Sequence, residues 1–481
     1  MVFGLIPEMP IGFPAEYAFS FAGILRKARI FMNLLCFRQA VAMVTAIFLI
    51  PASFGQTTGG DKVDLDALAR IKTEAFQHSQ VMENLFWMSE VYGPRVTNSR
   101  NHKLAAEWAM KQMKDWGLKN VHLEKWPFGY GWQIKHFYAA METPVYAAFN
   151  GFPLAWTPGT PGAITVEPVW APIHSKADFA KYHGKLKGKA LLMFDPAPLK
   201  LHTQADAQPS PTDEEILARG DTRGGDARGG AGGGRGAAAG DRDPSGRGRP
   251  GEGTWDYTPT SLALANAKNG VLRNEVNAFL KEEGVAISIT PGYNGDGGTI
   301  FSTYGGSENP KDPIPPPIVA IEAEQYNRLV RLVQHGVTPK LNFDIAVDYQ
   351  REDQNAFNVI GEIPGAIKPD EVVMLGGHFD SWQGGTGATD NGTGSSVAME
   401  AVRILATLHK AGLLKPMART VRVALWGGEE EGVYGSTAYV QQHFAQRTTM
   451  VKTPEYDKLD VYFNDDGGSG RFRGVSAGGS P

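Results

Sequence analysis

Val372-Val-Met-Leu-Gly-Gly-His-Phe-Asp380 and Val421-Arg-Val-Ala-Leu-Trp-Gly-Gly-Glu-Glu-Glu431 are the two stretches that decide the fold of this chain. Each begins with the apolar residues of a buried strand and ends in two glycines followed by polar side chains. Between them, five apolar residues recur at helical spacing: Val397, Ala401, Ile404, Leu405 and Leu408. Strands that alternate with a helix predict an α/β fold, a mixed and largely parallel sheet flanked by helices.

Two further strands are predicted at 356–360 and 459–463, and the second is followed by Asn464-Asp-Asp466. Sites on such sheets form beyond the carboxyl ends of the strands. We therefore expect the polar residues that follow the strands to converge on one edge of the sheet. These residues are His378, Asp380, Asp390, Glu429, Glu430, Glu431, Asp465 and Asp466.

Each of these signals has a structural alternative when it stands alone. A single histidine such as His378 is more often structural, Asp390 could cap a helix, and the acidic turn at 429–431 could face solvent. The glycine-rich loop before Asp390 lacks the endings of phosphate-binding loops, which excludes a nucleotide site. Together, one histidine and three acidic clusters suit Zn²⁺, and the acids suffice for two ions.

Composition narrows the classes of protein that this chain can represent. Its 481 residues are too many for one ordinary core, so two or more domains are expected. The formal net charge of −4, from 47 Lys and Arg against 51 Asp and Glu, argues against nucleic acid as a partner. Cys36 is the only cysteine, so any metal in the folded body must be held by histidine and carboxylates.

The amino terminus has the pattern of an export signal. Basic residues precede the apolar run 40–50, and Ser53 and Gly55 place small residues before a cleavage site after Gly55. Residues 1–55 are therefore predicted to be a signal region, with Met32 as its probable start. An uncleaved membrane anchor is the alternative. Cleavage would leave a secreted or periplasmic protein without a stable membrane anchor.

The remaining chain falls into three stretches. Residues 61–146 are helical and then extended, 147–340 have frequent prolines and short apolar runs, and 341–481 show the α/β pattern. The middle stretch predicts a small mixed domain inserted into another domain, of which 61–146 and 341–481 are the two parts. Within it, 220–254 has no large apolar residue and is predicted to be a disordered Gly/Arg-rich loop, with RNA binding as the alternative.

The order of the motifs resembles the co-catalytic di-zinc exopeptidases of clan MH, which include bacterial aminopeptidases and the plasma glutamate carboxypeptidase group. Residues 147–340 resemble the protease-associated domain of these proteins. The segments that carry the resemblance are Tyr92-Gly-Pro-Arg-Val-Thr97, Gly376-Gly-His-Phe-Asp-Ser381, Ala388-Thr-Asp-Asn-Gly392, Trp426-Gly-Gly-Glu-Glu430 and Asn464-Asp-Asp466.

The resemblance implies a role for each metal ligand. His378 and Asp466 would bind one Zn²⁺, Glu430 would bind a second, and Asp390 would bridge the two. At the last motif, the Asn-x-Asp pattern selects Asp466 over Asp465.

The resemblance also implies catalytic and supporting roles. Glu429 would be the general base toward a water activated by the two Zn²⁺ ions, and Asp380 would support His378. Glu431 would occupy a variable position without a role.

Members of this family take a final zinc-ligand histidine from a segment well beyond the Asn-x-Asp motif. This sequence ends at Pro481, and its last histidine is His443, on the helix expected after the acidic turn. We therefore expect a carboxyl-terminally truncated chain, an incomplete second zinc site and little or no activity in this form.

The expected function is that of an aminopeptidase acting on peptides, with a carboxypeptidase or a dipeptidase of the same fold as alternatives. A non-catalytic, receptor-like relative would have lost ligands or the base, whereas Glu429 and the ligand positions up to Asp466 are filled. A zinc-dependent cyclising acyltransferase is disfavoured because such proteins usually lack the inserted domain. The sequence does not indicate an oligomeric state.

Overall fold

The fold is given by a computed structural model that describes residues 63–197, 199, 270–292, 300–446 and 448–470. The chain divides into two units, Met1–Asp64 and Leu65–Pro481, and every element named below belongs to the second. The predicted signal region 1–55, which includes Cys36, and the predicted loop 220–254 lie outside the described residues. In the described part, no helix has the length and apolar character needed to cross a bilayer.

The α-helices form where apolar residues recur at helical spacing. At the start of the third helix, the side chain of Ser99 accepts the backbone N–H of His102, and the helix ends at Gly117, whose φ of 99° favours glycine. Two π-helical turns, Trp87–Val91 and Ala388–Gly392, extend the second helix and precede the seventh. The helices are α1 Leu65–Gln77, α2 Val81–Phe86, α3 Arg100–Trp116, α4 Phe179–Tyr182, α5 Gly270–Glu282, α6 Ala323–Gln334, α7 Thr393–Lys410 and α8 Tyr434–His443.

The strands predicted at 356–360, 372–375, 421–425 and 459–463 are present, and each extends beyond its apolar run. The strands are β1 Lys119–Pro127, β2 Gly131–Thr143, β3 Ala147–Ala148, β4 Gly151–Pro153, β5 Ile164–Val166, β6 Pro168–Trp170, β7 Ala190–Leu192, β8 Ile287–Pro291, β9 Ile318–Ile321, β10 Lys340–Gln350, β11 Asn355–Ile363, β12 Lys368–His378, β13 Arg419–Trp426 and β14 Leu459–Asn464.

The central sheet has five strands in the order β1-β11-β13-β12-β14. β12 runs parallel to both β13 and β14, whereas β11 runs antiparallel to β1 and β13. The predicted mixed α/β class is confirmed, and the parallel pairings form one half of the sheet. In that half, His378 pairs with Trp426 and Gly376 pairs with Asn464, so the carboxyl ends of three strands are level with one another.

Helices cover both faces of the central sheet. On one face, β11 and β13 pack against α3 and α7 in a core that includes Ala109, Val359, Met399 and Val423. On the other face, β12 and β13 pack against Tyr439 of α8. This alternation follows from the period of two in a strand, which sends neighbouring side chains to opposite faces.

Two smaller sheets share a second core. One is antiparallel, in the order β3-β2-β10-β5, and the other has the order β4-β9-β8-β7-β6. Met141 and Phe343 of the first sheet and Leu191 and Ile289 of the second belong to one buried cluster with α6. The assignment of 147–340 as an inserted protease-associated domain stays a prediction.

Candidate metal centre

Three of the residues singled out in the sequence meet beyond the carboxyl end of β12. One ligand atom from each of His378, Asp390 and Asp466 lies within 4.8 Å of the other two. His378 Nε2 is 2.9 Å from Asp390 Oδ1 and 3.4 Å from Asp466 Oδ1. The histidine side chain is 2% exposed, whereas those of Asp390 and Asp466 are 69% and 41% exposed, so the cluster opens toward solvent.

The topology of the sheet explains this convergence. His378 is the last residue of β12, Asp390 lies in the π-helical turn before α7, and Asp466 follows the end of the parallel strand β14. Two hydrogen bonds fasten these segments together: the backbone N–H of Asp465 donates to Gly376 O at 2.9 Å, and Asn391 Nδ2 donates to Asp465 O at 2.8 Å.

When its ring is neutral, His378 would present a lone pair to this cluster. Its Nδ1 lies 3.1 Å from the carbonyl oxygen of Asp380, which can only accept, so the proton of a neutral ring belongs on Nδ1. Nε2 then faces the carboxylates of Asp390 and Asp466, and none of these three groups can donate a hydrogen bond to another. A bound cation would satisfy these acceptors, and one imidazole with several carboxylates is a donor set that suits Zn²⁺.

The pKa of His378 also shows that this cluster favours a positive charge. Burial acts to lower its pKa, but hydrogen bonds to Asp380, Asp390 and Asp466 outweigh burial and raise the pKa well above the usual value for histidine. The carboxylates therefore stabilise a proton on the ring, and a metal cation would occupy the same electrostatic position.

Glu429 and Glu430 follow β13 and border the cluster. Glu429 Oε2 lies 4.0 Å from His378 Nε2. Burial raises the pKa of Glu429 to about 7; the charge on His378 opposes the rise and that on Asp380 adds to it. Burial, and then the charge on Asp390, raise the pKa of Glu430 well above its ordinary value. Both side chains are thus placed where positive charge would stabilise their ionised forms.

Asp380 holds the turn that carries both glutamates. Its Oδ1 accepts the backbone N–H of Glu429 and its Oδ2 that of Glu430, each at 3.1 Å. Asp380 is fully buried, which acts to raise its pKa, but His378, then His102 and the backbone N–H of Glu429, lower the pKa to about 2. The sequence predicted that Asp380 supports His378. The two hydrogen bonds from the glutamate turn to Asp380 are seen only in the structure.

Two contacts of this region were missed at the level of sequence. Glu431, assigned no role, is 7% exposed and accepts a hydrogen bond of 2.6 Å from Thr97 Oγ1. Thr97 in turn accepts the backbone N–H of Gly428 at 3.1 Å. In the sequence, the only feature that pointed to this pair was the segment 92–97, which resembles the family, and the resemblance implied no role for Thr97.

His443 does not join the cluster. Its Nδ1 lies 2.9 Å from Glu455 Oε2, and its Nε2 lies 3.1 Å from the carboxylate of Glu124 on β1. His443, the last residue of α8, therefore lies between two carboxylates that do not belong to the cluster.

Comparison with known proteins supports the predicted family. Residues 358–473 match the family model for peptidase family M28, and this segment contains all of the candidate ligands and the candidate base. The predicted resemblance to co-catalytic zinc exopeptidases is thereby confirmed for this part of the chain.

Two curated relatives share the same region. Human carboxypeptidase Q is 33% identical over 146 residues, which is 30% of this chain and 30% of that protein. Rat aminopeptidase NAALADL1 is 36% identical over 132 residues, which is 26% of this chain and 17% of that protein. The alignments therefore span less than a third of the length of these relatives.

A solved structure shows a similar fold. The peptidase M28 precursor of Shewanella amazonensis superposes with a TM-score of 0.52 at 18% identity, covering 84% of this chain and 75% of that chain. The likeness confirms the α/β architecture with sheets flanked by helices.

Proposed function

We propose that this protein is a zinc-dependent exopeptidase, in which His378, Asp390 and Asp466 hold one Zn²⁺ and Asp390 and Glu430 hold a second. The observation that carries the proposal is the convergence of three ligand atoms within 4.8 Å at the carboxyl edge of the sheet. The match of this segment to a peptidase family supports the choice of peptide-bond hydrolysis over other metal-assisted hydrolyses.

Zn²⁺ bound at this centre would lower the pKa of water and polarise the carbonyl of the scissile bond. Glu429 takes a proton from the attacking water and delivers it to the leaving amine as the C–N bond breaks. The products are a free carboxyl group and a free amine. The carboxylate of Glu429 borders the cluster, with Oε2 4.0 Å from His378 Nε2, which places the proposed base beside the proposed metal ligands.

Asp380 fixes the positions of the groups that take part in this proton transfer. Its two carboxylate oxygens each accept one backbone N–H of the glutamate turn, and its carbonyl fixes the ring of His378. A single buried side chain therefore sets the base relative to the proposed metal ligand, and such second-layer contacts control both metal affinity and turnover.

Among exopeptidases, we place aminopeptidase first. One of the similar proteins is named aminopeptidase NAALADL1 and is 36% identical to this chain over 132 residues. A carboxypeptidase or dipeptidase remains the second candidate because one of the similar proteins is named carboxypeptidase Q. Peptides carrying a block on either terminus distinguish these candidates.

The proposed substrates are peptides outside the cytoplasm. This part of the proposal rests on the export signal expected in residues 1–55, with cleavage after Gly55. Amino-terminal sequencing of the protein from its native host checks it, and a mature chain that begins at Met1 or Met32 would contradict it.

The variant Glu429→Gln tests the mechanism. It keeps the size of the side chain but removes the base, so zinc content should stay unchanged while turnover falls on the order of 10²–10⁴-fold. Glu107→Gln on the exposed side of α3 is the matched control and should retain full turnover. Zinc-loaded Glu429→Gln protein with normal turnover would show that another group is the base.

A further inference from the structure

Arg95 is fully buried, and its guanidinium bonds to backbone carbonyls. Nε donates to Phe379 O at 2.7 Å, Nη1 donates to Met88 O at 2.8 Å and to Thr386 O at 3.2 Å, and Nη2 donates to Gly387 O at 2.9 Å. Four of its five N–H donors are thus engaged by three separate segments of chain.

Two of these segments carry the proposed metal ligands. Phe379 directly follows His378, and Thr386 and Gly387 lead into the turn that carries Asp390. The carbonyl of Gly387 also accepts the backbone N–H of Gly392 at 2.9 Å, which closes the loop around Asp390. One guanidinium therefore joins the base of the Asp390 loop to the end of β12.

The fit around Arg95 leaves little freedom. The backbone N–H of Arg95 donates to Ser381 Oγ at 3.0 Å, and the backbone N–H of Ser381 donates to Arg95 O at 3.1 Å. A Cβ atom on Gly387 would lie 2.3 Å from Ser381 Oγ and 3.1 Å from Arg95 Nη2, and the φ of Gly387 is +67°. Only glycine allows the loop to approach the guanidinium this closely.

We propose that Arg95 is a positioning residue, which sets the separation of His378 and Asp390 and thereby the affinity of the centre for metal. The inference rests on the proposed metal centre. The side chain of Asp390 is 69% exposed, so packing around the carboxylate contributes little to its placement. Its backbone must be fixed instead, and the planar fork of Arg95 reaches both ligand segments at once.

The charge of Arg95 persists at neutral pH, which supports this role. Burial lowers its pKa to about 10, and the nearby carboxylate of Asp380 acts in the opposite direction. Charged donors form stronger hydrogen bonds to carbonyls than neutral donors do.

Arg95→Lys tests the proposal, because lysine keeps the charge but cannot span both segments with a rigid fork. Zinc affinity, measured by competition with a chelating dye, should fall roughly 10–100-fold, as expected for a supporting residue of a metal site. The visible spectrum of the Co²⁺-substituted protein should also change, since it reports the geometry of the ligands.

Arg403→Lys is the matched control. Arg403 of α7 is also buried, but it pairs with Glu400 of the same helix and with Glu74 of α1. This variant should lose stability while it keeps the zinc affinity and the Co²⁺ spectrum of the wild type. If Arg95→Lys gives the same result as this control, Arg95 has only a structural role and the proposal is wrong.

Gly387→Ala is the second variant, which displaces the loop from Arg95 without altering the arginine. It should weaken zinc binding in the same direction, and it decides the matter if Arg95→Lys does not fold. Wild-type zinc affinity in folded Gly387→Ala protein would overturn the proposal. A wild-type protein that binds no zinc would instead overturn the metal centre, and the positioning role with it.

Discussion

Asp465 and Asp466 are neighbours in sequence with different tasks in the structure. The backbone of Asp465 bonds to Gly376 and Asn391, whereas, among the described residues, its carboxylate accepts the N–H of Gly467 at 3.4 Å. Asp466 instead directs its carboxylate to within 3.4 Å of His378 Nε2. The proposed ligand role therefore belongs to one side chain of the pair.

Asp466→Asn should weaken zinc binding by more than the roughly 10–100-fold loss that is typical of residues that only support a ligand. Asp465→Asn should bind zinc nearly as well as the wild type, because the backbone contacts of this residue do not depend on its carboxylate. Competition titrations with a chelating dye compare the two variants directly. Equal losses in both, or a loss in Asp465→Asn alone, would contradict the assignment.

The residues of the candidate site could be singled out in the sequence because each stands at a recognisable boundary. His378 ends an apolar run, Asp390 opens a helical stripe, and Glu429 follows two glycines after a strand. Arg95 and Thr97 could not be assigned roles in this way. Their partners are backbone carbonyls and a buried glutamate distant in the chain, and only the folded topology brings these groups together.

The strands were predicted well by their apolar runs, but the direction of pairing was not fully predicted. A largely parallel sheet was expected, and β11 instead pairs antiparallel with both β1 and β13. An apolar run shows that a strand is buried without showing which way its neighbour runs. Parallel pairs need long crossovers, which α7 and α8 with their loops provide on either side of β13.

α8 is tied to its neighbours by a doubly paired histidine. Both ring nitrogens of His443 face carboxylates, from Glu124 and Glu455, so only the protonated ring can donate to both. The hydrogen bond to Glu124 is the largest influence on its pKa, and with that to Glu455 it raises the pKa against the effect of burial. The ring of Tyr439 lies 4.3 Å from that of His443 at an interplanar angle of 31°, and Arg422 donates to the hydroxyl of Tyr439.

This pairing predicts a pH-dependent stability. Because folding raises the pKa of His443, its stabilisation is complete below the unfolded value of about 6.5 and is lost as the pH rises through the higher folded value. Urea unfolding at acidic and alkaline pH should show a smaller change in the free energy of unfolding for His443→Gln than for the wild type. His335→Gln, at the exposed end of α6, is the control. An identical pH profile in His443→Gln and the wild type would show that the pairing does not contribute.

At the scale of the whole molecule, residues of the predicted inserted domain reach the edge of the metal centre. The hydroxyl of Tyr304 lies 3.5 Å from the backbone oxygen of Glu431, and its ring lies 5.0 Å from that of Trp382, close after Asp380. The sequence placed Tyr304 in a separate stretch. Frequent prolines and short apolar runs indicate a change of composition, but they do not show which parts of the chain are in contact in the fold. The surroundings of the acidic turn are thus built from both parts of the chain.

Titration of the metal-free protein with Zn²⁺, followed in parallel by hydrolysis of peptides blocked at one terminus, tests the central claim most directly. We predict that the first equivalent binds most tightly, since His378, Asp390 and Asp466 offer three side chains, and that hydrolysis of a terminal bond depends on added zinc. His378→Ala should abolish the tight binding. Failure of the wild type to bind zinc, or hydrolysis that proceeds equally in its absence, would contradict the account.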